Sequence, residues 1–411
     1  MSISTPTAWA PEVFAPWPHT PGALLARVAA RSKSFDPTGA GGGTPVLIGS
    51  AAGDAASDVR RRARGELMER MGNVLAGRAV EAEAEAGRAR PPSAGGRVRT
   101  GDWSELRRDG VPVADPADPA TGPTGLAHDP TRAREVRQLW CRGRATGSGE
   151  DIWVPAGAAF LQHRPPPGCA ATHRAGSTGV AAHRGPDAAA AHAAWEILER
   201  DLVRRSWYDP LRHPPTAFDA RSTLPPGASE LRNLLNREGL QATALALPAP
   251  AGTAAVAVCV HEPDRTHQTF GARCAPAHDL QETVVRACWE ALMIRWSMTA
   301  PVAVRAWGRL SRTSVPRTGL DHALWTFHAQ DALTRWAGPA TVLRHPPAPR
   351  PARETDPVAL LAAHTGREVI AVDHCAGPPA DEGLAIVRLI APGASPLPAH
   401  PVPGVPPHPF G

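Results

Sequence analysis

The segment AAWEILERDLVRRSW, residues 193–207, sets two carboxylates three residues apart and an arginine directly after the second. On a helix, Glu196 and Glu199 share a face, and Arg200 stands one turn from Glu196, within reach of an ion pair. An exposed pair of that kind contributes little, and by itself the spacing would describe a solvated helix face. The spacing recurs, however. AAGDAASDVRRRARGELMER (51–70) and AAHRGPDAAAAHAAWEILER (181–200) are equal in length, open on Ala-Ala and close on Glu-x-x-Glu-Arg. CAPAHDLQETVVRACWEALMIR (274–295) repeats the middle, with Trp289-Glu290 answering Trp195-Glu196. Small residues precede the glutamates (Ala193, Ala194; Ala287, Cys288), so these helices can pack closely and the carboxylates need not face water. If the three helices converge, Glu66 with Glu69, Glu196 with Glu199, and Glu290 come together. Clustered carboxylates repel unless a hard cation lies among them, and Mg²⁺ prefers carboxylate and phosphate oxygens. Arg200 and Arg286 would then hold phosphate. Two readings stay open on the residues alone: a cation and phosphate cluster, or three structural helices with ordinary ion pairs.

The elements that must position these residues follow from periodicity. Helical patterns run over about 55–76, 187–207 and 279–298, the last opened by Asp279 and Glu282, which resemble a capping box. Strand-like runs lie at 44–49, 134–141, 151–156, 240–247, 253–260, 368–374 and 384–390. The fold class is α+β. Stretches rich in Pro, Gly and Ala at 84–133, 209–230 and 345–357 are expected to be surface loops. GAGGGT at 39–44 lacks the following Gly-Lys-Ser/Thr of a P-loop. His192, four residues before Glu196, is expected to be structural.

Composition narrows the classes. The chain has 411 residues and 42% hydrophobic residues, enough for a globular enzyme. No apolar run approaches the roughly 20 residues that span a bilayer, and the start MSISTPTAWAPEVF lacks a signal-peptide layout; a cytoplasmic protein is expected. The six cysteines form no Cys-x-x-Cys pair, so neither a zinc knuckle nor a disulfide framework is signalled, and Cys259 and Cys288 lie in core-like patterns. The net charge of +5 comes from dispersed arginines, with Lys33 the one lysine and a single tyrosine, which argues against a nucleic-acid stacking surface.

An ordered set of motifs is similar to the YcaO superfamily, ATP-dependent enzymes that activate peptide backbone amides. It comprises GELMER at 65–70, EDIWVPAGAAF at 150–160, GSTGVAAH at 176–183, WEILERD at 195–201, AAVAVCV at 254–260, GARCAP followed by RACWEAL at 286–292, and LAIVRLIAPGASPLP ending at 398. The resemblance spans roughly 25–411, leaving 1–24 as an N-terminal extension. It implies helices packed on mixed or antiparallel sheets, as repeated units round a nucleotide site without a P-loop. It implies Mg²⁺ on Glu66, Glu69, Glu196, Glu199 and Glu290, and ATP contacts from Ser34, Glu69, Arg184, Arg200, Arg286 and Glu290. Departures from the family pattern are Arg184 in place of an asparagine, Ala188 in place of a glutamate, Ile294 in place of a glutamine and Gly411 in place of a final proline.

The Pro-rich tail, 396–411, ends PPHPFG. Azoline-forming members finish in a similar Pro-rich segment that reaches the active site, so Pro407, His408 and Pro409 are the catalytic candidates. A terminal segment of this kind is expected to contribute little to the core. The implied reaction is cyclodehydration: a Cys, Ser or Thr side chain of a ribosomal precursor peptide adds to the preceding carbonyl, the resulting oxygen takes the γ-phosphoryl of ATP, and phosphate leaves behind a thiazoline or oxazoline. The implied partners are the precursor, a separate ThiF/E1-like leader-binding protein, a flavin dehydrogenase and a second copy of the chain; nucleic acid and membrane are not among them. Two alternatives remain: a thioamide- or amidine-forming sister enzyme, and a degenerate, non-catalytic member that binds precursor or partner.

Overall fold

The computed structural model describes residues 7–36, 45–87, 96–121, 130–170, 175–313, 316, 318–329, 331–338, 342–348, 356–373, 383–398 and 406–410. The glycine run at 39–44, Cys375 and Gly411 lie outside the described residues, as do parts of 84–133, 345–357 and the tail.

The first unit is a sheet of β1 (Thr7–Ala8), β2 (Glu12–Phe14), β3 (Leu24–Arg31) and β4 (Val46–Gly53), with β3 paired antiparallel to β4 on one side and to β1 and β2 on the other. Ala26, Val28 and Ala30 of β3 are buried while Arg27 and Arg31 are exposed, the period of two that a half-buried strand requires. From residue 7 onward the N-terminal extension is therefore part of this sheet. The helix α1 (Ala56–Gly87) crosses the sheet and buries Val59, Ala63, Leu67 and Met71, four residues apart along one stripe.

The next stretch gives β5 (Val98–Gly101), α2 (Trp103–Arg108), α3 (Pro130–Glu135), β6 (Gln138–Ala145), β7 (Asp151–Pro155), α4 (Ala156–Ala159), β8 (Val180–His183) and α5 (Pro186–Tyr208). Then come β9 (Thr216–Asp219), α6 (Ser229–Arg237), β10 (Gln241–Ala246), β11 (Thr253–His261), β12 (Thr269–Pro276) and α7 (Leu280–Met298). Four shorter helices follow, α8 (Pro301–Thr313), α9 (Gly319–Ala329), α10 (Ala332–Ala337) and α11 (Pro357–Thr365), before β13 (Ile370–Asp373) and β14 (Ala385–Ile390). The second sheet has the order β12-β11-β10-β9 and the third β5-β6-β13-β14-β8, with β7 on β6. Among the described residues every ladder between these strands is antiparallel, and two isolated bridges, Val113 with Trp153 and Phe218 with Leu343, are parallel. The fold is α+β, and among the described residues no helix is long and apolar enough to cross a membrane.

Two stretches expected to be loops hold regular structure. Val98–Gly101 pairs with Gln138–Cys141, and Thr216–Asp219 pairs with Thr243–Ala246. Neither strand has a strong pattern of its own; in each case the pairing partner is supplied from a distance. The expected capping box at α7 does not form either. A 3₁₀ turn, Ala277–Asp279, runs straight into the helix, and Asp279 makes no side-chain cap hydrogen bond. The carboxylate of Glu282 accepts instead from Arg286 Nε at 2.6 Å.

The three glutamate-bearing helices each follow a strand: β4 leads to α1, β8 to α5 and β12 to α7. Two of these junctions are alike in detail. A Cβ on Gly49 of β4 would lie 2.1 Å from the carbonyl oxygen of Ala63, and one on Gly271 of β12 would lie 2.3 Å from that of Ala287. Ala63 stands three residues before Glu66 and Ala287 three before Glu290. Glycine on the strand and alanine on the helix bring backbone against backbone, and this sets how far each glutamate projects. Gly271→Ala should accordingly force α7 off β12 and cost about 1–3 kcal/mol, the usual range for overpacking. Urea denaturation with an unchanged midpoint would contradict this packing.

Candidate active site

Glu199 sits near the middle of α5, buried with 3% of its surface exposed. Its Oε1 is 3.4 Å from Arg200 Nε and its Oε2 3.8 Å from Arg273 Nη1. Glu290 of α7 stands across from it, with Oε1 3.6 Å from Arg200 Nη2 and Oε2 3.7 Å from Arg273 Nη2. Glu199, Arg200, Glu290 and Arg273 thus close a ring of alternating charge. These separations are too long for hydrogen bonds, and Glu199 Oε1 and Glu290 Oε2 are buried without a hydrogen-bond partner. Burial pushes the Glu199 carboxyl up to about 7; Arg200 and Arg273 oppose the shift, while Glu290 and Glu196 add to it.

The remaining carboxylates lie next to the ring. Glu196 Oε2 accepts from the Gly179 amide at 3.0 Å. Glu66 Oε2 accepts from the Ser50 amide at 2.6 Å, and its Oε1 pairs with Arg70 Nη2 at 2.6 Å. Glu69 and Glu196 keep partial contact with solvent yet are surrounded by protein on most sides, so burial raises both carboxyls above their ordinary range. For Glu69 the charges of Glu196 and Glu66 raise it further. Arg388 of β14, buried, donates from Nη1 to the Gly176 carbonyl at 2.8 Å, while its Nε is buried without a partner. Burial lowers Arg388 to about 10, against the pull of Glu196 and Glu69. Among the described residues, no three carboxylate, imidazole or thiolate groups are drawn round one point as a bound cation would hold them.

The two copies of Glu-x-x-Glu-Arg behave differently. In α1 the arginine makes the ordinary pair of a helix surface, Arg70 with Glu66. In α5 the arginine turns away from Glu196 and joins the charge ring. Arg286 lies to one side, bonded through Nη1 to Asp58 at 2.9 Å, and Asp58 also takes Arg62 Nε at 2.8 Å. Arg184 is exposed, one residue before the N-cap Gly185 of α5, and His192 is exposed on α5. Ser34 lies in the 3₁₀ turn Lys33–Phe35 within another polar cluster, where its carbonyl accepts from Arg78 Nε at 2.7 Å. Arg78 in turn pairs with Glu81, whose carboxylate also meets His163 and the Arg164 amide.

Four residues at the site were not singled out by sequence: Asp58, Arg62, Arg273 and Arg388. The usable signal was a charge inside an otherwise apolar strand. Arg273 interrupts TFGARCAP and Arg388 interrupts AIVRLI, and a strand that buries a guanidinium, as β14 buries Arg388, must offer it a partner.

The tail is docked. Pro407 to Phe410 are buried, and the Phe410 ring lies 5.4 Å from the Arg200 guanidinium. Phe410 also packs with Trp336 and Phe270. His408 stacks on His322 with ring centroids 4.1 Å apart. Burial pushes His408 down to about 3, so its ring is neutral; Nε2 donates to the Pro398 carbonyl and Nδ1 accepts from the Phe410 amide. Both ring nitrogens are thus engaged by the tail's own backbone. The expectation that the tail adds little to the core is also corrected, since Phe410 is 2% exposed and belongs to the largest core cluster. Its loss should cost about 3–5 kcal/mol, as for other buried phenylalanines.

Carboxylates facing arginines between helices, without a P-loop sequence, suit a protein that handles a cation and phosphate outside the P-loop class. The chain belongs to the YcaO family: the family model for YcaO cyclodehydratase, ATP- and Mg²⁺-binding, matches residues 49–395. The family is ATP-dependent, and its cofactors are ATP and Mg²⁺. Among solved structures, a heterocyclase in complex with substrate and cofactor aligns with a TM-score of 0.64 at 18% identity, over 94% of this chain and 50% of that one. YcaO from Methanopyrus kandleri, bound with AMPPCP and Mg²⁺, aligns with a TM-score of 0.59 at 19% identity, over 96% and 90%. The E. coli microcin synthetase McbBCD complex aligns with a TM-score of 0.55 at 12% identity, over 90% and 84%. An uncharacterized protein of Methanothermobacter thermautotrophicus is 30% identical over 118 residues, 29% of this chain and 30% of that protein. The chain thus spans half of the heterocyclase, and the match takes in less than a third of the archaeal protein.

Glu199 ties stability to pH. Its folded-state pKa of about 7 lies above the 4.5 of an unperturbed glutamate, so the folded state holds the proton more tightly than the unfolded one. Stability from this group is full below about pH 4.5 and falls as pH rises towards about 7. Glu199→Gln should flatten that part of the profile, and urea midpoints across this range for both proteins test it. Parallel profiles would show that Glu199 ionises as an ordinary carboxyl.

Proposed function

We propose that the protein is an ATP- and Mg²⁺-dependent cyclodehydratase that forms thiazolines or oxazolines at Cys, Ser or Thr of a ribosomal precursor peptide. The observation that carries this reading is the charge ring Glu199–Arg200–Glu290–Arg273, built on the buried Glu199, with the C-terminal tail packed on its Arg200. The ring fits the two cofactors. Two buried carboxylate oxygens lack partners, a deficit that a hard cation would fill, and two guanidiniums lie between the carboxylates where phosphate oxygens could replace long ion pairs.

Bound ATP would supply the phosphoryl group that turns an amide oxygen into a leaving group, with Mg²⁺ neutralising charge on it. In this proposal Glu199 and Glu290 hold the cation from α5 and α7, and Glu66, Glu69 and Glu196 complete its surroundings. Arg200 and Arg273 steady the phosphate oxygens, with Arg286 and Arg184 at the margin and Ser34 towards the nucleoside. Arg388 keeps Glu69 and Glu196 from repelling each other. The tail residues Pro407, His408 and Pro409 form a stiff wall that holds Phe410 over Arg200 and keeps water from that side. Their part is to position groups rather than to transfer protons.

The docked tail favours an azoline over a thioamide or amidine. Arg184 and Ala188 favour a non-catalytic member, but the full set of carboxylates in a partner-poor ring opposes it, because such a ring is costly to keep without a ligand. The precursor would be delivered by a separate ThiF/E1-like leader-binding protein, with a flavin dehydrogenase acting afterwards on the rings.

Glu290→Gln should keep the fold and lower ATP-dependent ring formation at least about 100-fold, the scale of losing one electrostatic stabiliser. Mass spectrometry of the partner-bound precursor, counting one water lost per ring, provides the readout. Undiminished ring formation would remove the glutamates from the reaction.

A further inference from the structure

Asp201 follows the arginine of the charge ring and has no part in the chemistry proposed above. Its side chain is fully buried, and its carboxyl lies below the ordinary range because three donors outweigh the cost of burial. Oδ2 accepts from His364 Nε2 at 2.7 Å and from Arg205 Nε at 2.6 Å, and Oδ1 accepts from the Ser395 amide at 2.8 Å. The donors come from three places: α11, the next turn of α5, and the segment leaving β14. One turn further along α5, Arg204 Nη1 donates to the Pro396 carbonyl.

These contacts form a circuit. Asp201 and Arg204 hold residues 395–396 against α5. Two residues on, the Pro398 carbonyl takes the His408 ring, His408 takes the Phe410 amide, and the Phe410 ring lies on Arg200. The circuit begins and ends on adjacent residues of one helix. We propose that Asp201 is a positioning residue: by anchoring 395–398 it seats the tail on Arg200 and fixes the guanidinium that faces Glu199 and Glu290. An aspartate suits this because one carboxylate can accept from three elements at once; an amide of the same shape must turn a donor towards one of them.

The catalytic consequence rests on the proposed reaction, whereas the clamp itself can be judged without it. Hydrogen exchange followed by mass spectrometry on the full chain compares wild type, Asp201→Asn and Arg204→Ala. Arg204 is only partly buried, so its variant keeps the test open if the buried substitution unfolds the chain. Both folded variants should exchange faster at the amides of Gly393–Ser395 and Leu397 and at those of His408 and Phe410, the non-proline positions of the two spans, with α5 as protected as in wild type. With ATP and precursor, kcat for ring formation should fall at least about tenfold while the KM for ATP stays within about twofold, the sign of a geometric rather than a binding loss. Unchanged exchange at 406–410 in every variant that folds would overturn the clamp. Faster exchange with an undiminished kcat would overturn its role in positioning Arg200.

Discussion

Four facing charges, Arg200, Glu290 and Arg273 round the buried carboxylate of Glu199, are the constraint to which the rest of the structure answers. Removing a carboxylate from water costs several kcal/mol even after relaxation, and attraction repays this only when geometry and hydrogen bonding are good. Here the geometry falls short: the pairs stand at 3.4–3.8 Å, and two carboxylate oxygens are left without partners. A ring optimised for stability alone would have closed these gaps. In the proposed function, the open ring takes a ligand that brings positive charge to the carboxylates and negative charge to the guanidiniums, the two halves of a metal-bound phosphate.

Such a ring needs a rigid frame, because ångström shifts would either collapse it into tight ion pairs or separate its members. Backbone contact at Gly49 with Ala63 and at Gly271 with Ala287 fixes two of the helices on their strands. Ala193 and Ala194 of α5 are buried in the core cluster that also takes in Phe410. Residues 407–410 are therefore part of the frame, and Pro407 and Pro409 restrict the backbone on either side of His408.

The repeated Glu-x-x-Glu-Arg and the Trp-Glu of the third segment were enough to indicate three closely packed helices, while on the residues alone a gathering of carboxylates and ordinary ion pairs stayed equally open. The three long helices and the strands at 253–260 and 384–390 were likewise legible, since TAAVAVCV is a continuous apolar run of the kind a strand buried on both faces requires and LAIVRLI is apolar but for Arg388. What one arginine would do in each repeat was not legible. Arg70 and Arg200 occupy equivalent positions, yet one pairs within its helix and the other joins the ring, because only α5 has Glu290 and Arg273 facing it from other elements. Strands such as Val98–Gly101 and Thr216–Asp219 stayed hidden for the same reason, since their order comes from partners distant in sequence. The docked tail shows a third limit: its prolines suggested a groove, but the burial of Phe410 against Phe270 and Trp336 depends on residues that the motif does not contain.

The central claim is that the buried carboxylates exist to bind a metal-bound triphosphate. Isothermal titration of a non-hydrolysable ATP analogue into the wild-type chain, once with Mg²⁺ and once with EDTA, tests it most directly. Saturable binding with Mg²⁺ that is lost in EDTA is the predicted result; equal affinity under both conditions, or no binding with Mg²⁺ present, would contradict it.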